Sequence, residues 1–301
     1  MRTENSVAIV PKKIKSSAKV KRVAVQAALY LVLAVFALIV LLPFYFMLES
    51  SFKTYGEALG TFTWFPKEPS VEGYRYILGN NPYNINLLGN FGITLLITVP
   101  TMLVGVFVSA LAAFTFAKRQ FDGNGILFSI LLFTMMIPGT ILMMPQYIIF
   151  ADLDLIGTVI PLMLPGMFGS ATCVFFLRQF IRGIPDSLID AAKLDGMNYF
   201  KIFVYLILPL SWPALISQIV LWFIGGYNDY MGPLIYLQSN DVSEQTLQVA
   251  LAYFSSSQNS GMENIPAIMA SSVLSIIPLL VLYIAFQKFF ISGIAVSGMK
   301  D

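Results

Sequence analysis

Six long apolar stretches, none of which contains Asp, Glu, Lys or Arg, constrain the fold of this chain more than any other feature. An α-helix needs about 20 apolar residues to cross the hydrocarbon core of a bilayer, and each stretch reaches that length. No charged side chain has to be placed in lipid. The sequence therefore predicts an all-α integral membrane protein with six transmembrane helices, at residues 23–48, 93–117, 126–150, 156–177, 202–227 and 265–287.

Positive charge is divided unevenly between the two faces of such a bundle. We call the face that carries both termini and the loops 118–125 and 178–201 the basic face. All but three of the 18 Lys and Arg residues lie on it, the exceptions being Lys53, Lys67 and Arg75. Because cytoplasmic loops carry the excess of Lys and Arg, both termini are predicted to be cytoplasmic.

The first apolar stretch follows a basic segment, as in a secretory signal peptide. It is too long for the apolar region of a signal, and no small-residue cleavage site follows it. We interpret it as the first membrane anchor. The predicted organisation is a cytoplasmic basic segment at 1–22, a six-helix transmembrane domain at 23–290 and a cytoplasmic tail at 291–301.

The sequence contains few of the residue types on which catalytic sites depend. The chain has one Cys, Cys173, and no His, which argues against disulfide frameworks, His-containing metal clusters and Ser-His-Asp triads. It has no G-x-x-x-x-G-K-S/T nucleotide loop, and a net charge of +2 does not suggest nucleic-acid binding. We expect no catalytic residue, no metal site and no bound cofactor, and a chain that is not an enzyme.

Small residues and prolines mark several of the stretches. Gly105, Ser109, Ala113 and Ala117 recur every four residues and predict close helix packing. Eight prolines could kink the bundle, although Pro is also simply common in membrane helices; they are Pro100, Pro138, Pro145, Pro161, Pro165, Pro209, Pro213 and Pro278.

The loop 178–201 is the basic-face connection long enough to hold a helix of its own. Ser187 and Asp190 fit a capping box, and Gly196 is placed to end the helix after Asp195. By helical spacing, one mostly small and apolar face is available to a partner. Its residues are Leu188, Ala191, Ala192 and Asp195.

The same loop contains Asp190-Ala191-Ala192-Lys193-Leu194-Asp195-Gly196, and Leu206-Ile207-Leu208-Pro209 follows it. This pattern resembles the E-A-A-x-x-x-G and I-x-L-P signature of permease subunits of binding-protein-dependent ATP-binding-cassette importers. The spacing is met in full, with Asp190 in place of Glu and Leu206 in place of Ile. The resemblance implies an ATPase-docking loop made by Leu188, Asp190, Ala191, Ala192, Asp195, Gly196, Leu208 and Pro209.

Three further segments, at 62–66 with Tyr74, at 227–234 and at 286–293, resemble the maltose-type carbohydrate permeases, specifically the shorter of their two partner subunits. This resemblance implies a carbohydrate cargo. It also implies that the outer loop 238–264 reaches into the sugar cleft of a solute-binding protein.

The family resemblance also implies partners and a location. The expected complex is a heterodimer with a second permease subunit, two ATP-binding-cassette subunits that use ATP and Mg, and an extracytoplasmic solute-binding protein. It would lie among the lipids of the bacterial cytoplasmic (inner) membrane as a multi-pass protein. Nucleic acid is not an expected partner.

Polar and aromatic groups in or near the spans are candidates for sugar contact or, equally, for helix packing. They are Asn90, Gln146, Tyr147, Gln218, Trp222 and Asn228. Two alternatives stay open: the same family with glycerol phosphate, a polyamine or an acidic oligosaccharide as cargo, and an ion-coupled secondary transporter. Charged cargo and ion coupling both favour ionisable residues within the spans, and this sequence has none there.

Overall fold

The computed structural model describes residues 15–60, 62–79, 85–239, 241–256 and 264–297, and the regular secondary structure in that part of the chain is helical. It contains no β-strand among these residues, and a π-helical turn (Phe203–Ile207) and a 3-10 turn (Val242–Glu244) accompany the α-helices. The α-helices are α1 (Lys15–Ser50), α2 (Tyr55–Ala58), α3 (Glu72–Leu78), α4 (Leu87–Lys118), α5 (Asn124–Thr134), α6 (Gly139–Asp152), α7 (Ile160–Met167), α8 (Ala171–Arg182), α9 (Asp186–Leu194), α10 (Tyr199–Ile202), α11 (Leu208–Leu210), α12 (Trp212–Tyr227), α13 (Met231–Tyr236), α14 (Leu247–Ser256) and α15 (Ile265–Ser297).

Within the described residues, four helical segments are long and apolar enough to cross a membrane: one within α1, one within α4, one across α7 and α8, and one within α15. Two further candidates are bent pairs, α5 with α6 at 93° and α10–α11 with α12 at 79°. Six spans result when each bent pair counts as one. The stretches at 126–150 and 202–227 are therefore not single straight helices.

A proline contributes to the first of these bends. Pro138 is the N-cap of α6, and α5 ends at Thr134. A proline ring disfavours helical backbone at the residue before it, here Ile137, and supplies no N–H to continue the hydrogen-bond ladder. The helix stops before Pro138 and restarts in a new direction.

The second bend lies at Ser211, between α11 and α12. Pro209 cannot donate to the preceding turn, and the helix widens ahead of it into the π-helical turn, where the Leu208 N–H bonds the Phe203 carbonyl. Pro213 then occupies the first turn of α12, where its missing N–H costs little. The two prolines thus flank a sharp change of direction.

Helix α4 is the centre of the bundle and contacts α7, α8, α12 and α14. Its small-residue stripe lies in this contact region. Ser109 and Ala113 are fully buried, and the Ser109 hydroxyl accepts a hydrogen bond from the N–H of Ser170, just before α8, at 3.0 Å. A Cβ on Gly105 would lie 2.5 Å from the Gly166 carbonyl oxygen. The predicted role of the stripe in close packing is confirmed.

Both terminal helices are longer than the predicted spans. Helix α1 begins at Lys15, inside the predicted basic segment, and α15 continues to Ser297, inside the predicted tail. Helix α1 packs on α15, but its side chains from residue 21 to 44 stay exposed. In the outer loop predicted at 238–264, residues 240 and 257–263 lie outside the described part of the chain.

Candidate functional site

Helix α9, the predicted docking helix, is fixed to the end of α4 by one lysine. The Lys118 ammonium donates to the carbonyl of Ile184 at 2.5 Å and to the carboxylate of Asp186 at 2.7 Å. The Lys118 side chain is only 4% exposed, whereas that of Asp186 is 78% exposed. The hydrogen bond from Lys118 lowers the pKa of the Asp186 carboxyl. The start of α9 therefore moves with the end of α4.

The predicted capping box at the start of α9 is wrong. The helix begins at Asp186, its N-cap is Pro185 in extended conformation, and no side chain bonds the first N–H groups. Ser187 already lies inside the helix, and the Asp190 carboxylate pairs instead with Lys193 at 3.0 Å. The two hydrogen bonds from Lys118, to the Ile184 carbonyl and the Asp186 carboxylate, hold the chain at this entry, but they do not satisfy the free N–H groups of the first turn.

The end of α9 is as predicted. Asp195 is the C-cap, and Gly196 follows with φ of 79°, in the left-handed region that glycine enters without steric cost. The Gly196 N–H bonds the Lys193 carbonyl at 2.9 Å, and the Met197 N–H bonds the Ala192 carbonyl at 3.0 Å. This pair of bonds is a Schellman motif, which stops the helix and turns the chain away.

The exposed face of α9 differs from the predicted one at Ala192. Ala192 and Ile189 are buried against the chain's own core, which includes Ile202. The helix has to cover that core with one side, so only Leu188, Ala191 and Asp195 of the predicted strip remain exposed. Ala192 is therefore not part of the open surface of this chain.

Leu194, which the sequence reasoning did not select, is 89% exposed, the largest exposed fraction among the large apolar side chains described. It lies on the last turn of α9. An apolar side chain held this far into solvent on a capped helix is suited to a pocket on a partner protein. The sequence did contain a signal for this residue: Leu194 is a large apolar residue outside every apolar stretch, next to the predicted helix end at Asp195 and Gly196.

Tyr199, at the start of α10, links α9 to α4 a second time. The Arg119 guanidinium lies 4.2 Å from the centre of its ring, and the Lys193 ammonium lies 5.5 Å from it. The hydrogen bond with Asp190 raises the pKa of Lys193, which stays charged at neutral pH. Of the other predicted docking residues, Leu208 is half-buried and Pro209 is exposed.

A cavity of about 270 Å³ lies between α4, α7 and α12. Thr94, Thr98 and Thr101 line it from one face of α4, and Trp222 lines it from α12. Asp229, just after α12, also lines it. Asp229 is exposed as a residue, but partial burial of its carboxyl raises the pKa, and a hydrogen bond from the Gly232 N–H opposes this.

Of the six predicted substrate residues, the structure brings only Trp222 to this cavity. The Asn90 amide donates 2.7 Å hydrogen bonds to the carbonyls of Val242 and Gln245, which is a packing role. The other four also lie away from the cavity. Gln146 Oε1 accepts from the Tyr236 hydroxyl at 3.4 Å, and the Tyr147 hydroxyl accepts from the Gln238 amide at 3.0 Å. Gln218 is buried, and the Asn228 amide donates to the Ile224 carbonyl at 2.8 Å. The cavity threonines were missed because hydroxyls in apolar stretches carry no distinctive pattern.

Straight and broken apolar helices of this length, with an exposed capped helix in one loop, define a polytopic membrane protein. The chain belongs to the family described as binding-protein-dependent transport system inner membrane component, whose model matches residues 105–296. It is therefore an inner-membrane component of a transport system and not an enzyme, as predicted.

Similar proteins agree with this family. The arabinooligosaccharides transport system permease protein AraQ of Halalkalibacterium halodurans is 33% identical over 70% of this chain and 73% of its own length. The inner membrane ABC transporter permease protein YcjP of Escherichia coli is 30% identical over 93% of this chain and 98% of its own length. A bacterial ABC transporter involved in importing the acidic polysaccharide alginate has a similar fold, with a TM-score of 0.77, 22% identity, and coverage of 93% of this chain and 100% of that chain.

Proposed function

We propose that this chain is a permease subunit of an ATP-driven importer and that α9 is the helix that couples it to an ATPase. The observation that carries the proposal is the exposed tip of α9, with Leu194 at 89% exposure on a helix anchored by Lys118. A rigid, protruding apolar side chain can enter a cleft, and the anchor transmits movement of α9 to α4.

Orientation follows from the charges of this site. The basic face contains α9, and loops rich in Lys and Arg stay in the cytoplasm. We therefore infer that both termini and α9 are cytoplasmic, where ATP-binding-cassette subunits would meet them. In this arrangement ATP and Mg are bound by two such subunits, while a second permease subunit and an extracytoplasmic solute-binding protein complete the importer.

The cargo that the cavity supports best is a neutral carbohydrate. A wall that includes three threonines and the indole of Trp222, with no Lys or Arg among the described residues, suits the hydroxyl groups and C–H surfaces of a sugar. AraQ transports arabinooligosaccharides by name, and a further relative, the melibiose/raffinose/stachyose import permease protein MelC of Bacillus subtilis, is 30% identical over 86% of this chain and 91% of its own length.

An acidic oligosaccharide is the second candidate, because the protein of similar fold belongs to an alginate importer. Asp229 argues against it: a carboxylate in the cavity wall would repel an anionic sugar unless it were protonated. Transport assays with matched neutral and acidic oligosaccharides distinguish the two. Faster uptake of the acidic sugar, with further gain in Asp229→Asn, would favour the second candidate.

Copurification of the ATPase tests the coupling role of α9. Leu194→Asp should lose most of the bound ATPase, because it places a charge where an apolar side chain is desolvated. Leu59→Asp is the matched control, since Leu59 is also exposed, at 56%, but lies on the opposite face. Equal ATPase recovery from the two variants would overturn the proposal.

A further inference from the structure

A second cavity, of about 390 Å³, lies on the basic face where α4 ends, α5 begins and α8 ends. We call it the basic pocket. Its walls carry four cationic side chains, Lys118, Arg119, Arg178 and Arg182, against one carboxylate, Asp186. Within the described residues, the side chains of Arg178 and Arg182 form no hydrogen bond or ion pair with α9 and do not line the threonine-lined cavity, although the Arg182 carbonyl accepts from Lys118 at 3.4 Å.

Carboxylates in the described part of the chain do not balance the positive charge of the basic pocket. Lys118 is paired with Asp186 at 2.7 Å. The three arginines form no ion pair with any carboxylate in the described ranges, and Asp122, in the adjoining loop, does not line the pocket. Like charges held together in this way favour an anion between them.

Arg178 is held in place for such an anion. Its Nε donates to the Phe116 carbonyl at 3.2 Å, which uses one of the five N–H donors of a guanidinium. The guanidinium also lies 3.8 Å from the centre of the Phe128 ring. A side chain fixed by these two contacts loses little conformational freedom when it binds a further acceptor.

Apolar surface adjoins the basic pocket on α5. Gly125 lines the pocket, and the residues that follow it are exposed: Ile126 at 70%, Leu127 at 49% and Ile130 at 54%. Phe121, on the pocket wall, is 38% exposed. A soluble anion would gain nothing from this surface, whereas a molecule with an anionic head and hydrocarbon chains would use both regions.

We propose that the basic pocket binds the phosphate headgroup of an anionic phospholipid of the cytoplasmic leaflet, with the acyl chains lying along α5. The proposal rests on the orientation inferred above, which puts the pocket at the level of that leaflet's headgroups. Arginines bind phosphate oxygens bidentately, and basic pockets between helices on the cytoplasmic side are suited to anionic headgroups. The lipid would also lie beside Lys118, the anchor of α9.

Lipid retention by the assembled transporter tests this proposal. Complexes reconstituted in an equal mixture of phosphatidylcholine and phosphatidylglycerol are extracted, and retained phosphatidylglycerol is measured by native mass spectrometry. Arg182→Gln should retain about fivefold less than the wild type, the effect of one basic residue near an anionic membrane surface. Arg182→Lys, which keeps the charge, should retain several-fold more than Arg182→Gln.

Lys201→Gln is the matched control, because Lys201 lies exposed on the same face but does not line the pocket. It should retain the lipid like the wild type. Wild-type retention in Arg182→Gln, or an equal loss in Lys201→Gln, would overturn the proposal. Displacement of the lipid by millimolar inorganic phosphate would overturn it as well, since the site would then serve a soluble anion.

ATPase copurification on the same samples separates this proposal from the proposed function. Arg182→Gln with normal ATPase recovery and reduced lipid supports the lipid site. Loss of the ATPase from Leu194→Asp bears on the docking of α9 alone.

Discussion

The two ends of α4 hold their neighbouring loops by different kinds of interaction. At the first end, Asn90 donates two buried hydrogen bonds to the segment that contains Val242 and Gln245, and the Thr94 hydroxyl accepts the Leu247 N–H at 2.9 Å. At the other end, the buried ammonium of Lys118 forms a salt bridge with the exposed carboxylate of Asp186, and Arg119 forms a cation–π contact with Tyr199.

Buried neutral hydrogen bonds are costly to break and insensitive to salt, whereas surface charge contacts are weaker and are screened. The first end of α4 is therefore a fixed joint. The second end couples α9 to α4, and because charged groups make its contacts, salt should weaken it more than it weakens the first end. Substitutions at the two ends should differ in size and in their response to salt.

The largest effect is expected at the fixed joint. Asn90→Leu leaves buried carbonyls without their donor and should lower the free energy of unfolding by about 2–4 kcal/mol. Thermal unfolding of the purified chain in detergent measures it. Asn86→Ala, which removes only an exposed helix cap to the Gly89 N–H, should cost about 1 kcal/mol. Equal losses in the two variants would contradict the fixed joint.

The second effect concerns the end of α9. Gly196→Val forces a β-branched residue into the left-handed region and should cost about 1–3 kcal/mol locally. A Cβ there meets nothing within 4 Å, so the backbone conformation alone is penalised. ATPase copurification should fall strongly while membrane insertion is kept. Gly196→Asn should recover much of the ATPase binding, because Asn tolerates the left-handed conformation better than Val does. Equal ATPase recovery from the Val and Asn variants would exclude backbone strain as the cause.

A smaller effect is expected at the charged joint. Lys118→Met removes the donor to Ile184 and Asp186, and trypsin should cleave after Lys193 several-fold faster because α9 opens more often. Asp186→Asn keeps the bond to Ile184 and should have the milder effect. A cleavage rate unchanged in Lys118→Met would show that the lysine is not the anchor.

The pH dependence of this joint has a definite sign. The pKa of Asp186 is lowered from its ordinary value of 3.8, so the pair stabilises the folded state above that value. The contribution is lost as the pH falls through the lowered pKa. Protection of α9 should therefore be constant between pH 5 and 8, as measured by hydrogen exchange corrected for the intrinsic rate; a Lys118-dependent change in that range would contradict it.

The smallest effect is expected at Tyr199. Tyr199→Leu removes the ring faced by Arg119 and should weaken the contact by about 0.5–1 kcal/mol. Tyr199→Phe, which keeps the ring, should behave like the wild type. A double-mutant cycle with Arg119→Gln, read by the same proteolysis, isolates the coupling energy; a coupling energy of zero would remove this second link.

Composition alone predicted six spans because a bilayer requires a minimum length of uncharged helix. It did not predict which spans break. Pro43, Pro100 and Pro278 lie inside continuous helices, whereas Pro138 and Pro209 lie at or beside bends of 93° and 79°. A proline only removes one donor and adds one clash; whether the helix bends depends on the neighbours that satisfy the freed carbonyl, and these are distant in sequence.

In the candidate site, too, features set by local sequence were predictable, and features set by distant residues were not. Gly196 was predictable because a helix end of this kind is local chemistry. The burial of Ala192 was not, since the core beneath it includes Ile202, which belongs to a different helix. An asparagine such as Asn90 can bind a sugar or another helix. Only its hydrogen bonds to the carbonyls of Val242 and Gln245 show that it serves in packing.

Thiol crosslinking at the tip of α9 tests the central claim, the docking of an ATPase, most directly. Cys173 is buried, so a cysteine introduced at Leu194 is the only accessible thiol among the described residues. In the intact complex, Leu194→Cys should crosslink to a cysteine placed around the cleft of the ATPase, and the buried position in Ala192→Cys should react far less. Crosslinking from Leu194 no stronger than from Leu59→Cys, on the opposite face, would contradict the account.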